Sequence, residues 1–461
     1  MGAGLWLLAL GACCSTTGLT QAGGSTSTGG SATAGGTTGS RSTNGTASRG
    51  GGVSSSGGLA TGSSSGGPAT GSSTGGTSTA SSSSGTGSAG STGGSGPGDV
   101  CPPDGGFSSP LFFAAGPEPA LIGAADFEGN GHLDLAVANF QGGVSILPGA
   151  GNGTFGAPRS FVAQLQGLQG AVADWNGDGR PDLAVTDLYD VYMLLNDRDG
   201  GFLPAVGYTV AQASELPTDG LWVAAGDFNG DGALDVAFTQ QFAQAPGMLS
   251  VLLNQGGGAF AAGFETQAGP APANIAAADF NGDGKLDVAV VEEESWAVDV
   301  FLGAGDGTFS TSPITCPLAP PAATYAEGIA VADFDGDGRP DIAAGALNGP
   351  INILLNQGAG AFVAAGAYAV GTAPSFLTTA DVNGDGSPDV VSVDQWGEIE
   401  VLFNDGSGSF PRHESYTVGT SAQAPVGVAA QDFNGDGRPD LATALQEGSQ
   451  AVVLLSCPGG N

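Results

Sequence analysis

The sequence predicts an all-β chain, a seven-bladed β-propeller of four-stranded blades, and three observations predict it. An acidic nine-residue pattern recurs seven times between residues 126 and 440. Its starts lie 48, 53, 52, 54, 48 and 51 residues apart, a spacing that suits one four-stranded blade in a ring of about four to eight. Between the copies run short apolar stretches broken by Gly, Asn and Asp, with no sustained helical periodicity.

Two segments precede the repeats. Residues 1–13 read as a signal peptide, because the apolar stretch Leu5–Leu10 is far shorter than the roughly 20 residues that span a bilayer. Leu10-Gly11-Ala12-Cys13 resembles a bacterial lipobox, although no Lys or Arg precedes it. That resemblance implies a lipid on Cys13 and an outer-membrane or cell-surface protein, or otherwise a secreted one. Residues 14–100 are almost wholly Gly, Ser, Thr and Ala and cannot bury enough apolar area to offset chain entropy. They are expected to form a flexible tether with an r.m.s. span of roughly 50 Å.

The third segment, 101–461, holds the repeats. In each unit a short apolar run such as Ile275–Ala278 leads into the acidic loop, and a second such as Val288–Val291 leaves it. A third run, Val298–Leu302 in the same unit, is followed by a Gly-rich turn ending in Phe, as in Gly303–Phe309 and Asn254–Phe260. The last unit stops at Leu454-Leu-Ser-Cys457, before its Gly-turn-Phe piece, and the segment opens with that piece, Cys101–Phe107. The N-terminal strand should therefore complete the last blade and remove an open sheet edge. Aligned on the intact units, Cys101 and Cys457 fall at adjacent positions of one hairpin, so a disulfide is expected in an exported chain. Cys316 is left over and expected to be unpaired.

The loops are Asp126, Glu128, Asn130, His132 and Asp134; Asp174, Asn176, Asp178, Arg180 and Asp182; Asp227, Asn229, Asp231, Ala233 and Asp235; Asp279, Asn281, Asp283, Lys285 and Asp287; Asp333, Asp335, Asp337, Arg339 and Asp341; Asp381, Asn383, Asp385, Ser387 and Asp389; and Asp432, Asn434, Asp436, Arg438 and Asp440, named at their odd positions. With the Gly-x-Phe turns and the literal Phe155-Gly-Ala-Pro158, they resemble FG-GAP (VCBS-type) repeats, as in the integrin α-chain head. The resemblance spans 101–461 and implies a propeller holding up to seven structural Ca²⁺. Oxygens at the first, third, fifth and ninth positions, with a backbone carbonyl at the seventh, suit a hard cation, as in the first part of an EF-hand loop. Neither the EF-hand Glu nor its helices are present. The first loop departs most, with Glu128, Asn130 and His132, and the fifth is the most acidic.

Charge agrees with this reading. Nine Lys and Arg stand against 44 Asp and Glu, a formal charge of −35, which excludes nucleic acid as a partner because nothing can neutralise phosphates. The loops supply 22 of the 44 acids, and uncompensated carboxylates this close repel. Position two is aromatic except at Val382 and is expected to pack between blades.

Two histidines and no zinc or phosphate-loop pattern leave little for catalysis, so the chain is read as a non-enzymatic, monomeric adhesion module for a protein or glycan. A carbohydrate-active enzyme or lectin-like propeller is the alternative. The acidic run Glu292–Glu294 is expected to be a solvated loop. The resemblance places ligands on the face opposite the acidic loops, where Tyr189, Phe242, Trp296, Tyr325 and Trp396 are the aromatic candidates.

Overall fold

Each repeat forms one antiparallel sheet because its four runs differ in what they can face. The computed structural model describes residues 101 and 106–457, apart from 163–164, 199, 211–220, 243–245, 320–324, 372–373 and 395. The expected leader with Cys13 and the tether over 14–100 lie outside the described residues. Blade 4 shows the pattern, with strands Pro272–Ala278, Asp287–Glu292, Ala297–Phe301 and Ile314–Pro317 paired in sequence order. The first strand is Ala-rich and half-buried, lining the ring's centre. The second and third are buried along their whole length, since a neighbouring blade covers each face, and they read as continuous apolar runs. The fourth strands lie outermost and carry exposed residues, as in Arg412–Thr417 of blade 6.

Seven four-stranded sheets form in this way among the described residues. The seventh takes three strands from the C-terminal end, Pro425–Gln431, Asp440–Leu445 and Gln450–Leu454, and its outer strand from the N-terminal side, Leu111–Ala114. Leu111 pairs with Val453 and Ala114 with Gln450. Just outside this pair, Gly106–Phe107 pairs with Ser456–Cys457, and Cys101 is bonded to Cys457. The ring thus closes as expected, with the closing strand a few residues beyond the Gly-turn-Phe piece. Cys316, expected to be unpaired, is instead fully buried and disulfide-bonded.

The core is not one mass but seven apolar clusters, one in each gap between blades. At their lower ends sit the position-two aromatics. Each packs edge-on against the Gly-turn Phe of the next blade: Phe127 on Phe202, Trp175 on Phe260, Phe228 on Phe309, Phe280 on Phe362, Phe334 on Phe410 and Phe433 on Phe155, with centroids 5.5–6.1 Å apart. At the remaining gap Val382 shares a cluster with Phe107.

The acidic loops and the opposite rim

All seven loops join the first and second strands of a blade, so strand direction puts them on one face of the ring. In the second loop, Asp174 Oδ1 accepts the N–H groups of Gly177 and Asp178 at 2.8 and 3.0 Å, and Oδ2 that of Gly179 at 2.7 Å. Asn176 Oδ1 accepts from Asp178 N–H, and Asp178 Oδ1 from Arg180 N–H. Alternate side chains therefore turn to the inside of the bend. The bend needs positive φ at Gly177 (74°) and Gly179 (85°), and space is not the constraint, since a Cβ at either would meet nothing within 4 Å. The same bonds from the first-position Asp recur around Asp227, Asp279, Asp333, Asp381 and Asp432.

The first loop differs as its sequence suggested. Asp126 bonds only Asn130 and Gly131 N–H. Glu128 accepts from the Asn130 side chain and pairs with Arg159 at 2.5 Å, and His132 is exposed.

The ninth-position Asp is fully buried in every loop. In the second loop Asp182 Oδ2 accepts Trp175 N–H at 3.0 Å, and Oδ1 accepts Asn196 N–H at 2.7 Å from the turn after the third strand. Asp134, Asp235, Asp287, Asp341, Asp389 and Asp440 do the same for their blades. Burial outweighs these bonds and raises each carboxyl above the usual range, to about 6 at Asp287, Asp341 and Asp440 and about 7 at Asp389.

The fifth loop gathers the most charge. Oxygens of Asp333, Asp335 and Asp341 lie within 4.8 Å of one another, an all-oxygen set of the kind that fits a calcium ion. Arg339 and Arg180, at the seventh position, each pair with the fifth-position Asp of their own loop, Asp337 and Asp178. Their backbone carbonyls, not their charged ends, are the groups suited to a cation.

Sequence reasoning missed the residues that join one loop to the next. Asn196, Asn254, Asn356 and Asn404, each opening a Gly-rich turn, are buried. Their side-chain amides donate to the carbonyls of Phe127, Trp175, Phe280 and Phe334 in the preceding blade, at 2.8–2.9 Å. The available signal was Asn itself at the start of four of these turns.

The aromatic candidates divide on the opposite rim. Tyr189 and Trp396 are exposed, at 40% and 57%. Trp296 is half-buried in a tight turn with φ 55°. Tyr325 opens the first strand of blade 5. Phe242 is a correction: only 8% exposed, it has folded inward because an apolar ring on a loop gains by burial. A second correction is Glu292, which ends a buried strand instead of starting a solvated loop. It is 0% exposed, accepts Gly269 N–H at 2.8 Å, and burial lifts its carboxyl to about 7. At the ring's centre, Trp222 before the first strand of blade 3 meets Phe376 of blade 6, with ring centroids 5.6 Å apart.

Comparison with known families places this architecture. The FG-GAP-like repeat family matches residues 126–185, 174–238, 241–290, 279–344, 333–392 and 381–443. The chain belongs to that family. No curated protein matches it in sequence. Among solved structures, BBS1N in complex with ARL6DN is similar at 13% identity in two crystals, soaked with lead and with mercury. The match covers 77% of this chain in both and 98% and 97% of those, with TM-scores of 0.52 and 0.50. A lectin of Agrocybe aegerita that recognises non-reducing terminal N-acetylglucosamine matches at 20% identity, over 68% of this chain and 91% of that one, with a TM-score of 0.48.

Proposed function

We propose that this chain is a calcium-stabilised binding propeller, carried outside the cell on a lipid-anchored or secreted leader and tether, and that it binds a protein or glycan without chemistry of its own. The observation that carries this reading is the contrast between the two faces of the ring. On one, six near-identical loops and one variant spend their polar groups largely on their own backbone, and four are tied to the next blade by a buried Asn. On the other, the connections are unlike one another and expose Tyr189 and Trp396, side chains of the kind that anchor partners. BBS1N, which shares only the fold, is solved with a partner protein, in line with a propeller serving as a docking platform.

Calcium in the loops would offset carboxylate repulsion and move the formal charge from −35 to about −21 if seven divalent ions bind. Sites of this extracellular type bind at about 10⁻⁴–10⁻³ M. Two measurements test the reading. Calcium titration followed by melting with and without chelator should show a cation-dependent rise in Tm, and an unchanged Tm ends the structural role of calcium. A glycan array and a pull-down with Tyr189→Ala and Trp396→Ala should show binding lost with the rim aromatics, whereas product release from a polysaccharide would establish an enzyme instead.

A further inference from the structure

We infer that the rim opposite the loops holds a divalent-cation site of its own in blade 6, formed by Asp394, Glu398 and Glu400 with the hydroxyl of Ser392. Oxygens of the three acids lie within 4.8 Å of one another. Asp394 and Glu400 are 2% and 1% exposed, so water can do little to separate their charges. The site stands apart from the seven loops: Asp394 follows the second strand of its blade, and Glu398 and Glu400 lie on the third.

The fold turns these groups to one place. Ser392 is directly opposite Glu400 in the antiparallel register; Asp394 follows Ser392 by two residues and Glu398 precedes Glu400 by two, so both lie at the same end of the pair. With side chains alternating across a sheet, all four project from the same face. Val390 and Leu402 on that face pack toward blade 5, so the cluster occupies the upper end of the gap between blades 5 and 6. Asp394 Oδ1 accepts the N–H groups of Trp396 and Glu398, at 3.0 and 2.9 Å. Glu400 Oε2 accepts Ser415 Oγ–H at 2.6 Å and contacts His413 Nε2. The other oxygens, Asp394 Oδ2 and Glu400 Oε1, both turn toward Gly371, where a Cβ would come within 2.6 and 2.8 Å of them. The residue covering the pair is thus one without a side chain.

The independent sign of a missing ligand is Ser392. Its side chain is fully buried, yet its Oγ has no hydrogen-bond partner, a state that is costly when nothing fills it. Three carboxylates and a hydroxyl are hard oxygen donors, the set that selects calcium or magnesium over softer metals.

Terbium, a luminescent stand-in for calcium, tests this in the full chain with excitation through tryptophan, because the backbone N–H of Trp396 is bonded to Asp394 and so fixes this residue beside the site. The wild type should show a sensitised component that Trp396→Phe removes. Asp394→Asn/Glu398→Gln should lose the same component, and Ser392→Ala should weaken it about tenfold. Asp335→Asn, in a loop on the far face, should leave it unchanged. Glu398→Gln alone, at the least buried of the three acids, provides the reading if the double variant does not fold. A wild type with no Trp396-dependent component would mean that the acids share a proton instead of an ion. A component that survives in Glu398→Gln, or that disappears in Asp335→Asn, would equally overturn the site.

Discussion

Asn254 of blade 3 donates its side-chain amide to the backbone carbonyl of Trp175 in the loop of blade 2, 2.8 Å away and 79 residues earlier in the chain. The same amide reaches the Leu234 carbonyl of its own loop, and its backbone N–H is held by the buried Asp235. One side chain therefore links the acidic loops of two blades and the turn between them. Asn254→Ala would leave the Trp175 carbonyl unpaired in a buried gap and should cost about 1–3 kcal/mol. Gln255→Ala, one residue on and exposed, should change stability by less than about 0.5 kcal/mol. Chemical denaturation of the two variants makes the comparison, and equal effects would refute the linking role.

The aromatic pairs between blades give a second test. Phe280 is 1% exposed and meets Phe362 with ring centroids 5.8 Å apart. Phe280→Ala should cost about 3–5 kcal/mol through lost burial and the cavity left behind. Val382 occupies the equivalent position beside Phe107 with a smaller side chain, so Val382→Ala should cost only about 1–3 kcal/mol. Thermal melts of the two variants would show the difference. A Phe280→Ala protein as stable as the parent would mean that this gap repacks freely.

The parts of this molecule that were legible in the sequence are those that repeat. Seven copies of one pattern reveal the blade, the inward turn of Asp174 and its counterparts, and the aromatic at position two, because each must meet the same neighbours seven times over. Closure was legible because the two ends add up to one unit. What stayed hidden depends on register or on single contacts. Asn254 reads as an ordinary turn residue, since its partner lies 79 residues away. Glu292 sits in an acidic run, and only its place at the end of a buried strand turns it inward. Phe242 and Trp396 occupy corresponding connections of blades 3 and 6, yet one is buried and the other exposed, because the folding of unlike loops has no repeat to reveal it.

Closure of the ring leads to a third expectation. The Cys101–Cys457 bond joins residues 356 apart in sequence, beside the short pairing of Gly106–Phe107 with Ser456–Cys457. In the chain-entropy account a crosslink over so long a loop contributes about 6 kcal/mol. Cys101→Ser/Cys457→Ser should lower stability by up to that amount and should open blade 7 first. Reduction is the poorer test, because Cys316 is also disulfide-bonded. Hydrogen exchange would check the order of opening: early loss of protection in Leu111–Ala114 supports it, and uniform loss around the ring opposes it.

The buried ninth-position carboxylates set the last expectation, on how acidity and calcium act together. Burial holds Asp287, Asp341 and Asp440 at about 6 and Asp389 at about 7, against 3.8 when free. Because the folded-state values are the higher ones, the folded chain binds more protons than the unfolded chain between about pH 4 and pH 7. Without divalent cations, the stability that these protons contribute is fully present below about pH 4 and is lost as pH rises through 6 to 7. Chelated protein should therefore melt at a higher temperature near pH 5 than near pH 7.5. Calcium needs its ligands ionised, so its contribution should run the other way and be larger near pH 7.5. Melting curves with calcium and with chelator should lie far apart at neutral pH and draw together on acidification. Chelated protein that gains stability from pH 5 to 7.5 would show that backbone hydrogen bonds, not burial, govern these seven acids.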